Sequence, residues 1–489
     1  MTTDATGLVT DLYQLTMAQG YWRSGLSERR AVFHLTYRRP PFGGRAAIAC
    51  GLATAIEALE RWRFPDEDRD YLATLRGADG RPLFQDDFLA MLGERRFTGE
   101  VRAIPEGTTV LPRTPLLRVD APLLEGQIVE TMLLTIVNFQ TLIATKAARI
   151  RQAAGSGEVL EFGLRRAQGL DGGFTASRAA FVGGGNATSN VAAGRAFDIP
   201  VRGTHAHSWV MAFETELEAF RRYAQALPNN VVLLVDTYDT RGGLERAVRV
   251  AKELHADGGR FLGVRLDSGD PAELSREARR MLDEAGLIEA KIVVSGDLDE
   301  HSILALRRGG APIDVWGVGT RLVTAHDHPA LGGVYKLGAI ADERGRLLPR
   351  LKLSDDPIKI SDPGALSTVR IRRDGAWIAD VLRGDRQDDE RPVAPLLPET
   401  VDPKDLEPRI ELGDRKGLEF EGLETVVMRD GIRTGELPSA RQARERTLRS
   451  LAEFDLLAGA GTSGPRVVST GSLARERGRL ARSHRGETA

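Results

Sequence analysis

Val201-Arg-Gly-Thr-His-Ala-His-Ser-Trp209 is the stretch on which the fold reading turns. A short apolar lead-in passes through a Gly-Thr turn to two histidines, and a Ser-Trp pair opens an amphipathic helical pattern over residues 210–227. This is the punctuation of a strand that ends in a polar loop and feeds a helix. In α/β folds such loops, at the carboxyl ends of strands, are where chemistry collects. His205 and His207 are therefore candidate working residues.

The same unit recurs on both sides. Strand-like runs fall at 159–163, 201–204, 231–236, 261–267, 292–296 and 315–319. Helical patterns lie between them, as at 242–256 and 271–285, where Pro271 suits a first helical turn. Strands alternating with crossover helices make parallel βαβ units. All six ends are polar or glycine-rich: Phe162-Gly163, His205 and His207, Asp236, Arg265 to Asp270, Ser295-Gly296-Asp297, and Gly317 to Arg321. An open doubly wound sheet gathers its ligand at one crevice and leaves most other ends quiet. Six populated ends predict instead an irregular TIM-like α/β barrel with its site at the carboxyl-terminal face.

The flanks read differently. Thr10 is placed as the N-cap of a helix over 10–22, with Leu12, Leu15 and Met17 near one face. Tyr13 in that helix is an aromatic with a polar tip, able to stack on a flat ligand. Residues 31–50 and 97–120 alternate like strands, and 52–62 and 84–95 look helical. A long helical pattern over 123–154 is apolar on most faces, which suits a large core or a subunit interface. Glu125, Glu130, Asn138 and Lys146 interrupt it, so no uncharged run reaches membrane length. Strand-like segments return at 349–360, 367–371, 376–382 and 425–428, and a helix follows at 438–456. The expected organisation is an α+β segment with an interface helix (1–150), a barrel catalytic domain (151–340) and a C-terminal segment (341–460). The two flanks together build a second, smaller α+β domain. Residues 461–489, rich in Gly, Ser and Arg, read as a poorly ordered tail.

Composition bounds the function. At 489 residues the chain exceeds one core. Its 67 basic and 69 acidic residues give a net charge of −2, which argues against a dedicated nucleic-acid or membrane binder. Cys50 is the single cysteine, so no internal disulfide framework exists, and the first residues lack signal-peptide character. The expectation is a soluble, cytoplasmic protein.

The strand ends suggest chemistry. Glycines in 296–297 and 317–320 let backbone N–H groups approach a phosphate, although tight turns alone also call for glycine. Arg265 can clamp a phosphate or pyrophosphate, and Asp267 can accept from sugar hydroxyls or hold Mg²⁺ through water. Asp270 reads as a helix cap. His207 is open to four readings: metal ligand, general base, core histidine, or nucleophile toward phosphate. A His-x-His metal pair, as in barrel metallohydrolases, needs further strand-end ligands, and the other histidines fall mostly in helices or loops. Asp236, at the next strand end, could orient an imidazole.

Read as a set, these motifs carry a resemblance. They comprise Thr10-Asp-Leu-Tyr-Gln-Leu-Thr-Met, Val159-Leu-Glu-Phe-Gly-Leu-Arg-Arg-Ala-Gln-Gly, Thr188-Ser-Asn-Val and Gly203-Thr-His-Ala-His-Ser-Trp. Val235-Asp-Thr-Tyr-Asp-Thr, Val264-Arg-Leu-Asp-Ser-Gly-Asp, Val294-Ser-Gly-Asp-Leu-Asp, Gly317-Val-Gly-Thr and Lys352-Leu-Ser-Asp-Asp-Pro-Ile-Lys-Ile with Pro363-Gly364 complete it. From Thr10 to about Phe454 the chain resembles the nicotinate phosphoribosyltransferases, type II phosphoribosyltransferases of NAD salvage. The resemblance implies that nicotinate and 5-phosphoribosyl 1-pyrophosphate give nicotinate mononucleotide and pyrophosphate. ATP hydrolysis would be coupled through a phosphohistidine, with Mg²⁺ as cofactor. Carried over by motif, His207 is the phosphorylated residue, Asp236 its orienting partner, and Asp267 a third catalytic residue. Phe162 and Tyr13 of a second subunit would sandwich the pyridine ring. Arg165, Arg265 and Asp267 would hold the phosphoribosyl pyrophosphate, and Gly296, Asp297, Gly319 and Thr320 would seat the 5′-phosphate. The family implies a homodimer with shared sites. Ser189 separates the acid from its amide, because a serine can donate to a carboxylate where the related nicotinamide enzymes carry an acidic residue. The nicotinamide enzyme is the alternative, followed by a non-catalytic nucleotide sensor and a barrel metallohydrolase.

Overall fold

The computed structural model describes residues 6–384, 416–459 and 461–485. Its centre is a six-stranded parallel sheet in the order Ala187–Thr188, Glu158–Glu161, Val315–Val318, Lys291–Ser295, Phe261–Leu266, Val231–Leu234. Five of the expected strands are present within a residue or two. Their crossover helices include Thr240–Ala256 and Pro271–Glu284, the latter capped by Asp270, whose carboxylate accepts from the N–H groups of Ala272 and Glu273. The sheet is a curled half-barrel rather than a closed ring of paired strands.

The departures have local causes. The expected strand at 201–204 shrinks to one bridge between Val201 and Thr188, after which Gly203 and Thr204 leave the ladder. Its place in the sheet passes to Ala187–Thr188, a two-residue strand too short to announce itself by periodicity. The helix expected over 210–227 is two helices, His207–Met211 and Glu216–Ala226. The Thr215 side chain accepts from Glu218 N and restarts the second.

The second sheet joins both chain ends. Its antiparallel order is Leu347–Pro349, Gly333–Ala341, Arg30–Tyr37, Leu117–Pro122, Glu100–Ala103, Thr425–Arg429, Ile432–Arg433. In the first helix, Leu12–Arg23, Asp11 rather than Thr10 is the N-cap; the Thr10 hydroxyl instead donates to Ile128 O at 3.0 Å. Of its apolar residues Leu15 is buried, while Leu12 and Met17 stay exposed. Residues 350–360 form a loop with one short turn instead of a strand. The loose tail expected over 461–489 is replaced by ordered elements within 461–485, and residues 486–489 lie outside the described residues. Arg466–Ser469 pairs in parallel with Ala376–Gly384, and the helix Gly471–Arg485 packs beside it. Val468 and Leu473 supply the apolar contacts that arginine-rich composition had masked.

The long helix Glu130–Ala154, preceded by Leu123–Ile128, ties the two sheets into one continuous core. Lys146 in it is fully buried and lies 2.6 Å from Glu300 and 2.9 Å from Asp327. The polar interruption in the helical pattern is thus an internal ion pair with the half-barrel. No described helix is long and apolar enough to cross a membrane.

Candidate active site

The carboxyl ends of the parallel strands converge on Arg265. Its Nε donates to Ser295 Oγ at 2.8 Å, Nη1 to Thr204 Oγ1 at 3.0 Å and Nη2 to Asp267 Oδ1 at 2.7 Å. The guanidinium lies 5.7 Å from the centroid of the Phe162 ring. One planar cation is thereby fixed by Asp267 just past its own strand, by Ser295 at the end of the neighbouring strand and by Thr204 in the loop after Val201, and is laid against the Phe162 ring. Gly317 makes room for that ring, since a Cβ there would stand 2.8 Å from Phe162 Cε2. Burial pushes the Asp267 carboxyl up, but the Ser295 hydroxyl and the Arg265 guanidinium outweigh it and hold the group below the usual carboxylate range.

His207 opens its short helix beside this cluster. Its Nε2 is 3.9 Å from Asp267 Oδ2, and its Nδ1 is 3.2 Å from Thr237 Oγ1. The expected pairing with Asp236 is not formed. Asp236 Oδ2 instead accepts from Asp267 N at 2.9 Å and Ser268 Oγ at 2.6 Å, which braces the turn that carries Asp267. Asp236 Oδ1 is buried and has no hydrogen-bond partner among the described residues.

A buried carboxylate organises the opposite side. Glu161 accepts from Ser177 Oγ at 2.9 Å, Thr188 Oγ1 at 2.5 Å and the Gly163 N–H, while its own carbonyl receives Ser189 N at 2.9 Å. Glu161 thus pins the backbone at Gly163 and Ser189, while the Phe162 N–H donates to Val318 O at 2.8 Å. Arg165 projects, exposed, from the turn Leu164–Arg166. Gly296 adopts φ +95°, where a Cβ would meet Asp267 O at 2.6 Å, and Asp297 follows at φ +35°. Gly319 and Thr320 lead into the short helix Thr320–Val323. The phosphate-loop candidates and the arginine–aspartate turn thus sit on adjacent strands of one sheet face.

Over residues 8–138 the chain matches the nicotinate phosphoribosyltransferase (NAPRTase) N-terminal domain, and over 158–343 the nicotinate phosphoribosyltransferase (NAPRTase) family. The chain belongs to the nicotinate phosphoribosyltransferase family. The nicotinate phosphoribosyltransferase of Bacillus subtilis (strain 168) is 51% identical over 369 residues, 75% of this chain and 74% of that protein. The Homo sapiens enzyme is 36% identical over 515 residues, covering 92% and 94%. The crystal structure of human nicotinic acid phosphoribosyltransferase matches with a TM-score of 0.81 at 32% identity, over 97% of this chain and 100% of that one. A nicotinate-nucleotide pyrophosphorylase from Pyrococcus furiosus shares the fold, with a TM-score of 0.68 at 22% identity over 92% and 96%.

For a member of the nicotinate phosphoribosyltransferase family, two features lie apart from this cluster. Tyr13 is 49% exposed and lines a cavity of about 270 Å³ with Thr131, Phe139 and Pro329, and Phe162 is not among the described residues that wall it. A cavity of about 560 Å³ is walled by Arg38, Arg113, Lys336, Lys359, Arg477 and Arg485, so the motif from Lys352 and the C-terminal helix share a basic hollow. Among the described residues the cluster of possible metal ligands is Glu300, His301 and Asp327. Two of these already pair with Lys146, and His205 and His207 do not join them. Sequence reasoning missed Glu161, Thr237, Thr204 and Ser295 as site residues. All four stand inside the quoted motifs, and three bear hydroxyls, of which Ser295 ends a strand.

Proposed function

We propose that the protein joins nicotinate to 5-phosphoribosyl 1-pyrophosphate, releasing nicotinate mononucleotide and pyrophosphate, and that it couples ATP hydrolysis to this step. The observation that carries the reading is the Arg265 guanidinium held between Asp267, Ser295 and Thr204 and lying against the Phe162 ring. The pyridine nitrogen attacks C1 of the ribose as the bond from C1 to the pyrophosphate oxygen breaks. That nitrogen is already basic, so positioning and charge stabilisation carry the rate. Phe162 offers one face for the ring, and Tyr13 of the partner subunit the other. Ser189 donates to the nicotinate carboxylate, and Arg165, Arg265 and Asp267 hold the phosphoribosyl pyrophosphate. The backbone at Gly296, Asp297, Gly319 and Thr320 seats the 5′-phosphate.

In the coupled step His207 Nε2 attacks the γ-phosphorus of ATP while the bond to ADP breaks, and Thr237 holds the Nδ1 proton. Hydrolysis of the phosphohistidine returns the enzyme, and the coupling changes substrate affinity by about 1–3 kcal/mol. Mg²⁺ suits this face, because Asp236 and Asp267 are hard oxygen donors on neighbouring strand ends and the buried Asp236 Oδ1 lacks a partner among the described residues. When bound, the ion neutralises charge building on the leaving pyrophosphate. The half-barrel functions as an irregular TIM-like barrel spanning 151–340, with a smaller domain from 1–150 and 341–460. Two such chains form a cytoplasmic homodimer with shared sites.

Two assays test this. Product formation is measured with nicotinate and with nicotinamide, each with and without ATP; turnover of nicotinamide alone reverses the assignment. Transfer of ³²P from γ-labelled ATP is compared in wild type and His207→Ala. Label is expected only in the wild type, and equal labelling of both moves the acceptor elsewhere.

A further inference from the structure

The parallel sheet has one open side. It starts at Val201, bridged to Thr188, and ends at Val231–Leu234, and among the described residues no backbone hydrogen bond joins the two ends. Val235 donates its N–H to Arg265 O at 3.2 Å, so alternation along the strand turns the Leu234 N–H toward the open side. A buried amide left there without an acceptor would be costly. His205 meets it: its Nε2 accepts from Leu234 N at 3.1 Å. The other ring nitrogen lies 3.3 Å from Ala206 O, a pure acceptor, which assigns the neutral Nδ1–H tautomer. His205 is 7% exposed, and its ring stands edge-on to Tyr223, with centroids 4.8 Å apart. Burial lowers its pKa to about 4, so it stays neutral at ordinary pH. Two residues on, His207 meets Thr237, three residues beyond Leu234. Two imidazoles thus join loop to strand where a backbone ladder would otherwise run.

We propose that His205 is a positioning residue, its imidazole stitching the loop 202–207 to the free edge of the Val231–Leu234 strand and so fixing His207 against Thr237 and Asp267. It touches no reacting atom. The role rests on reading His207 as the working imidazole; the stitch itself does not.

His205→Phe keeps a ring against Tyr223 but removes the acceptor, and His205→Gln brings an amide oxygen back within reach of the Leu234 N–H. Hydrogen–deuterium exchange in peptides covering 231–238 and site-resolved modification of His207 by diethyl pyrocarbonate are read in both variants, beside nicotinate turnover. In His205→Phe, Leu234 is expected to exchange about tenfold faster, the cost of one hydrogen bond, with faster His207 modification and lower kcat. His205→Gln is expected to restore all three. Unchanged exchange at Leu234 in His205→Phe overturns the stitch, and faster exchange with unchanged His207 reactivity overturns the positioning role. A Gln variant as impaired as the Phe variant also overturns it. If His205→Phe does not fold, His205→Asn, whose oxygen is too short to reach Leu234, is read by the same criteria. A wild type that makes no nicotinate mononucleotide would sink the function while leaving the exchange and modification readouts intact.

Discussion

Arg265 donates through Nη2 to Asp267 at 2.7 Å across a single intervening residue, Leu266, while its other nitrogens reach Ser295 at the end of the next strand and Thr204 in a loop. Arg265 lies in the strand Phe261–Leu266 and Asp267 follows its last residue, two positions on, so alternation brings both side chains to one face, with the Asp236 carboxylate bracing the turn. A lysine at this position keeps the charge and loses the planar fork. Arg265→Lys is therefore expected to lower kcat/KM for phosphoribosyl pyrophosphate about 100-fold with little change in thermal stability. Steady-state kinetics beside a melting curve check this, and a loss below threefold removes Arg265 from the substrate.

Ser189 should govern the choice of base. Its backbone is pinned to Glu161, so a substitution changes the side chain without moving the loop. Ser189→Asp places a carboxylate against the nicotinate carboxylate, and kcat/KM for nicotinate should fall about 100-fold or more, as like charges repel. Nicotinamide turnover should rise in the same variant. An undiminished nicotinate rate would put the carboxylate elsewhere.

The internal charge network is a stability element. Lys146 is fully buried between Glu300 and Asp327, with Arg149 donating to Glu300 at 2.8 Å; its 2.6 Å approach to Glu300 is electrostatic rather than a well-aligned hydrogen bond. Lys146→Met leaves the Glu300 carboxylate half-compensated in a dry core and should cost about 3 kcal/mol in denaturant unfolding. The double variant Lys146→Met/Glu300→Gln should recover part of that loss.

Acid sensitivity follows from a second buried imidazole. Burial, aided by Arg118, lowers the His34 pKa from 6.5 to about 3, and its Nε2 accepts from Leu366 N at 3.0 Å. The unfolded chain binds a proton near pH 6.5 that the folded chain refuses, so stability is present above that pH and is lost as pH falls toward 3. His205 acts in the same direction. Melting temperature should drop steadily below pH 6.5 in wild type, and less steeply in His34→Gln; parallel profiles would rule out His34 as the source.

By itself the sequence determined the alternation of strands and helices, because period and punctuation are local properties written residue by residue. It also determined which strand ends carry Arg265, Asp267 and the glycine loops, since residues two apart on a strand share a face. Only the tertiary structure decided who binds whom. Asp236 and Thr237 are adjacent in sequence, and nothing local says that the hydroxyl faces His207 while the carboxylate braces the Asp267 turn. Ala187–Thr188 enters the sheet as a two-residue strand, and residues 466–485 fold although their composition suggests otherwise, because partners distant in the chain supply the ladder bonds and apolar cover. Hydrogen-bond direction and burial depend on such distant contacts, and sequence spacing carries no record of them.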